Sequence, residues 1–181
     1  MRLSTLIRLW IWVTLMAVAA FVVLAVLDRG LKAATGFGTI DLQGFGDAMG
    51  YKRALAAWIA REHAVTAGFC LGFDYLFMPL YAISFYFSAM LAREAFTPKK
   101  GTWRRVMDYL GFVPLAGAIA DAAENALELS MLTGSGNDGT AQAAFLATNI
   151  KWTCVAVGLG LLAAAIAGVI KLSLPKTDAA A

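Results

Sequence analysis

At 181 residues, with 60% hydrophobic and 15% charged side chains and a mean hydropathy of +0.70, the chain lies far from the averages of soluble domains. That composition excludes an ordinary soluble enzyme or binding module and specifies an integral membrane protein. The net charge of +3 sits mostly in the flanks of apolar runs, where it anchors the chain to the bilayer, and it implies no nucleic-acid partner.

Four stretches, residues 6–27, 64–91, 106–132 and 152–170, are apolar and close to or longer than the roughly 20 residues a transmembrane helix needs. The expected fold is an all-α, integral membrane four-helix bundle, one domain over 1–181, with residues 28–63 as an external cap. In the first stretch, Arg2 and Arg8 precede an apolar run with small residues at 17–20, which also fits a cleaved signal peptide. The run continues through Phe21 to Leu27, beyond a typical signal core, so a retained span is expected.

The cap opens with Thr35-Gly36-Phe37-Gly38 and Gly44-Phe45-Gly46, a glycine and aromatic mixture suited to turns against the membrane surface. Residues 47–62 read as a short helix capped by Asp47. Ala48, Leu55, Trp58 and Ile59 form its apolar face and Lys52, Arg53, Arg61 and Glu62 its polar face. That pattern fits an interfacial helix lying in the membrane plane, or a small cap packed on the bundle.

The second stretch is strongly aromatic and carries Asp74, Tyr81 and Ser88 at intervals of seven, a polar stripe on one face. The third holds Asp121, Glu124, Asn125 and Glu128, which at 100° per residue fall within roughly a third of the circumference. A central acid costs about 2.5 to 3.5 kcal/mol on insertion scales while a Leu returns about 0.5, so these acids must face protein. With a rise of about 1.5 Å per residue, Asp74 and Glu124 come to the same level, Asp121 a turn deeper and Glu128 a turn nearer the surface. Pro79 and Pro114 each remove a backbone donor inside these two spans. In the fourth, Ala156, Gly160, Ala164 and Gly168 form a row of small residues that would let another helix approach closely.

Lys and Arg crowd the N-terminal flank, the connection between spans two and three, and the C-terminal flank, whereas residues 133–150 carry none. The positive-inside rule then places both termini in the cytoplasm of a multi-pass plasma-membrane protein. Trp10, Trp12, Trp58, Trp103 and Trp152 all fall at or beyond span ends, as expected for rings at headgroup level. Cys70 and Cys154 lie in or beside spans and read as small apolar residues without a disulfide. The tail after Pro175 reads as disordered.

Three readings of the acids follow. One is a polar core of Asp74, Tyr81, Asp121, Glu124, Asn125 and Glu128, completed by Lys151, Asn149 and Arg61, although Lys151 also reads as a flank residue snorkelling to the interface. A second is a metal centre, for which His63 with Glu128 or Glu62 are weak ligands because the repeated Glu-x-x-His of bundle sites is absent. A third is a cavity for a lipid, quinone or pigment whose polar end the carboxylates orient. Neither a nucleotide loop nor a serine nucleophile elbow is present. No cofactor is specified.

The segments Phe73-Asp74-Tyr75-Leu76-Phe77-x-Pro79-Leu80-Tyr81 and Ala116-Gly117-x-x-x-Asp121-x-x-Glu124-Asn125, with Gly38-Thr39-Ile40-Asp41-Leu42 and Trp58, resemble a pattern of small four-span bacterial membrane proteins of uncharacterised function. The resemblance covers most of the chain. It implies a bacterial plasma membrane and a centre at Asp74, Asp121, Glu124 and Asn125, and it supplies no activity.

The expected function is non-enzymatic: an accessory or interaction subunit, bound to a membrane-protein partner or to its own copies. The alternative is a hydrolase or transferase acting on an outer-leaflet lipid, with Asp74, Asp121 and Glu124 as acids, bases or metal ligands. A transporter fits less well, since one four-span chain lacks internal repeats.

Overall fold

A computed structural model describes residues 2–97 and 100–174. Five α-helices carry the fold: α1 (Leu3–Thr35), α2 (Ala48–Ala60), α3 (Ala64–Phe96), α4 (Thr102–Leu132) and α5 (Asp138–Ser173), with a 3₁₀ turn at Ile40–Gly44. All but α2 are long and apolar enough to cross a membrane. The protein is an all-α, multi-pass membrane bundle.

The long helices alternate in direction. Both ends of the described chain and the α3–α4 connection lie at one end of the bundle, and the 3₁₀ turn, α2 and the α4–α5 connection lie at the other, the cap end. At the far end Leu6, Trp10, Leu91 and Ala165 pack together. At the cap end Leu31, Leu42, Tyr51, Trp58, Met131 and Ala144 form a separate core that ties α1, α2, α4 and α5.

The helices run past the apolar stretches because polar residues continue each one beyond the hydrophobic thickness. α1 continues through Asp28, Arg29 and Lys32 and stops at Gly36, whose φ of 88° lets its N–H reach the Lys32 carbonyl. Thus residues 28–35, assigned to the cap from sequence, belong to the first long helix. Likewise α5 starts at Asp138 rather than near Trp152, behind a capping box in which Asn137 and Thr140 satisfy each other's backbone N–H. Asp47 caps α2 as expected, accepting the Gly50 N–H at 2.7 Å.

α2 is not a free interfacial helix. Its Tyr51, Ala54 and Trp58 are buried against the bundle, with the Trp58 indole donating to the Phe37 carbonyl, while Ile59 turns outward. Two tryptophans therefore depart from headgroup anchoring: Trp58 is in the cap core, and Trp10 is buried with its indole on the Ser88 hydroxyl at 2.8 Å. Trp12, Trp103 and Trp152 remain exposed. Cys70 and Cys154 are both buried and free. The tail after Pro175 lies outside the described residues.

Of the small-residue row read in α5, only Gly168 joins the face buried in the bundle. Ala156 and Gly160 face outward and Ala164 is half-buried, whereas Gly158, Leu161, Ala165 and Gly168 point into the bundle. A Cβ on Gly158 would overlap the Phe85 ring of α3, and one on Gly168 would come within 2.8 Å of Ala95 Cβ. A Cβ on Gly160 meets nothing within 4 Å. The buried face turns toward α3 and α4, against which α5 packs along most of its length, so tertiary contact selects one of several small-residue registers. Gly158→Ala is expected to destabilise the bundle by about 1–3 kcal/mol through overpacking, and Gly160→Ala to leave its thermal unfolding unchanged or raised, when both are followed in the same detergent.

Candidate functional site

α4 supplies one wall of the site. Spacings of three and four residues put Asp121, Glu124, Asn125 and Glu128 on a single face, and all four are buried. Opposite them, α3 contributes Asp74 and Tyr81. The Asn125 amide donates to Asp74 at 2.9 Å, and the Tyr81 hydroxyl donates to Asp121 at 3.1 Å. The polar stripes of the two helices thus meet at matching depth.

Lys151 completes the cluster from α5. It is 5% exposed, with Nζ 3.1 Å from Asp121 Oδ1, 2.8 Å from Glu124 Oε1 and 2.7 Å from Glu124 Oε2. The snorkelling reading of Lys151 fails for a structural reason. α5 begins 13 residues before it, so the lysine sits well inside a helix whose earlier turns pack against the cap. A glycine sets the approach: a Cβ on Gly117 would lie 2.6 Å from Cys154 Cβ, so the α4 and α5 backbones come together one turn from the ion pair. Asn149 and Arg61 lie elsewhere, bonded to the carbonyls of Phe145 and Ala34. Ser88 is at the far end with Trp10, so only Asp74 and Tyr81 of the seven-residue series join the cluster.

Glu128 closes the row under the cap. It is 1% exposed, and its Oε1 has no hydrogen-bond partner among the described residues. Tyr51 of α2 lies above it and donates its hydroxyl to the Leu42 carbonyl at 3.0 Å. Burial, reinforced by the nearby Glu128 and Glu124 carboxylates, pushes the Tyr51 hydroxyl up from its ordinary value, which keeps it neutral.

A cavity of about 430 Å³ opens beside this cluster. It exists because α1 packs on α3 and makes no extensive contact with α5, leaving a gap between α1 and α5 with α3 and α4 as its floor. Val18, Phe21 and Leu24 of α1 and Val155, Leu159 and Leu162 of α5 line the apolar part. Asp28, Asp74, Asp121, Asn125, Glu128 and Lys151 line the polar part, under Thr39 and Gln43. Gln43 accepts from the Trp152 indole at 3.0 Å, which joins the 3₁₀ turn to α5 over the cap end.

Asp28, read from sequence only as the start of a connection, is a structural carboxylate. It accepts the Thr39 N–H at 2.5 Å, the Thr39 hydroxyl at 2.9 Å and the Ile40 N–H at 3.2 Å. It thereby caps the 3₁₀ turn from outside, and Gly38 must lack a side chain because a Cβ there would come within 2.5 Å of Asp28 Oδ1. The signal that could have found it is an acid 11 residues before a Gly-Thr turn, too long a spacing for any local pattern.

The metal reading gains no geometry. No group of three or more His, Cys, Asp or Glu side chains among the described residues is placed to hold an ion, and His63 caps α3 through its backbone position without a side-chain bond. Comparison of the chain with protein-family models, with curated proteins and with solved structures finds no match.

What the cluster does electrostatically is clear from its charges. One ammonium faces two carboxylates at contact distance, in a region where leaving either charge alone is costly. Lys151→Met is expected to lower stability by about 3–5 kcal/mol, because Asp121 and Glu124 lose their buried partner. The triple variant Lys151→Met/Asp121→Asn/Glu124→Gln should recover most of that loss in thermal unfolding of the detergent-solubilised protein.

Proposed function

We propose that the protein is a small polytopic accessory subunit of a bacterial plasma membrane that holds a membrane amphiphile in the cavity between α1 and α5. The cavity itself carries this reading: its volume of about 430 Å³ falls in the 300–1,000 Å³ range of small-molecule sites. Its walls grade from apolar side chains to a set of fixed polar groups. A long groove of that kind matches a molecule with a tail and a head. With both termini in the cytoplasm, as the basic flanks favour, the polar end belongs to the outer half of the membrane.

The interaction role has its own support in α5. Ala156 and Gly160 face outward, so a partner helix, or a second copy, can approach that backbone closely.

The enzymatic alternative, a hydrolase or transferase acting on an outer-leaflet lipid, draws on one observation. Asp74 lines the cavity with Asn125 as its one hydrogen-bond partner among the described residues, so a carboxylate oxygen remains able to act on a bound molecule as acid or base. Asp121 and Glu124 are less suited to that work, because Lys151 already engages both.

The test is purification into nanodiscs, followed by lipid extraction and native mass spectrometry. An amphiphile is expected at about one per chain, and Ala25→Trp, which fills the apolar part of the cavity, should release it while thermal unfolding stays cooperative. Equal recovery from the filled variant would overturn the reading. Conversion of the retained molecule by the wild type but not by Asp74→Asn, with assembly intact, would instead favour the enzymatic alternative.

A further inference from the structure

We propose that the cap end of the cavity seats a primary ammonium group, so that the amphiphile held there is cationic, in chemical class a single-chain alkylamine. This inference rests on the amphiphile-binding reading above. It comes from counting which acceptors in the polar end are already used.

Asp28 takes the N–H and hydroxyl of Thr39 and the N–H of Ile40 all on Oδ1. Asp121 has Lys151 and Tyr81, and Glu124 has Lys151. Lys151 is the one basic side chain lining the cavity among the described residues, and its ammonium is therefore committed. Three carboxylates keep an oxygen without a donor among the described residues: Asp28 at Oδ2, Asp74, which has the Asn125 amide alone, and Glu128, whose Oε1 is fully buried and has no partner. All three line the cavity, and the last two lie deepest in the bundle.

A buried acceptor without a donor costs free energy, and a carboxylate in that position costs more than a neutral group. An ammonium brings three donors, a positive charge and no acceptor, which is the complement of what Asp74 and Glu128 lack. A phosphate or carboxylate head would bring negative charge to a place lined by acids whose one lysine is already ion-paired. An alcohol would supply one donor and no charge. The apolar gap beside these two acids follows α1 from Asp28 down to Thr14, about 21 Å at the helical rise, room for one alkyl chain beneath the head.

The experiment compares four probes on the protein in phosphatidylcholine nanodiscs at neutral pH: dodecylamine, dodecanol, dodecanoate and ethylamine, read by binding isotherm and by thermal shift. Dodecylamine is expected to bind at least about tenfold tighter than dodecanol or dodecanoate, the factor a charge-assisted hydrogen bond supplies. Glu128→Gln should erase that preference while leaving dodecanol binding unchanged. Asp74→Asn should weaken it in the same direction, and serves if the first variant fails to fold. Equal binding of dodecylamine, dodecanol and dodecanoate, or an intact preference in the variants, would overturn the ammonium seat and leave the amphiphile reading standing. Ethylamine binding as tightly as dodecylamine would keep the seat but remove the amphiphile. Absence of binding by all four would overturn both.

Discussion

The arrangement of this molecule depends on how charge is accommodated where water is scarce. Four acids, Asp74, Asp121, Glu124 and Glu128, lie in or beside a core that contains one lysine. None could face lipid at tolerable cost, so α3, α4 and α5 must meet on their polar faces. Packing obeys that demand. Gly117 lets α5 come close beside Lys151, and Gly158 admits Phe85 from the other side. The ion pair adds little net stability as such, because desolvation offsets much of the attraction. Its consequence is register, since sliding α5 by one turn would strand both Lys151 and two carboxylates.

α1 stands outside this arrangement. It carries no member of the ion-paired cluster and attaches through α3, by Trp10 on Ser88 and by Thr14 beside Ser84 at 2.7 Å. Its outward side is lipid-facing, with Trp12, Leu15, Val22 and Val26 exposed. A bundle closed on all sides would need α1 to meet α5 as well. The gap left instead is the cavity, and the cap holds its polar end shut through the Asp28 contacts on one side and the Gln43–Trp152 bond on the other. The same geometry therefore gives the molecule both a tight three-helix core and an open lateral groove.

Much of the fold was legible along the chain because its signals are local. Span length and hydropathy located the four long helices, and the three- and four-residue spacing on α4 placed its acids on one face. Depth arithmetic on two antiparallel helices put Asp74 level with Glu124, and the structure bonds Asp74 to the next residue, Asn125. Hydropathy did not mark where the helices end. α1 and α5 continue past their apolar stretches, and that extension carries Asp28 into the cap and Lys151 into the core. Of the row Ala156, Gly160, Ala164 and Gly168, the bundle itself buries only Gly168, since glycine and alanine recur on several faces of that helix.

The sequence by itself determined that this is a membrane bundle with an acid-rich interior, because burial of apolar length and the cost of intramembrane charge are properties of each segment alone. Tertiary structure decided which acids are paired and which are not. Lys151 reaches Asp121 and Glu124 and leaves Glu128 Oε1 without a hydrogen-bond partner among the described residues only because separate helices converge at one depth. The groove between α1 and α5 is likewise no property of any segment: it is the space left where α1 packs along α3 and not along α5.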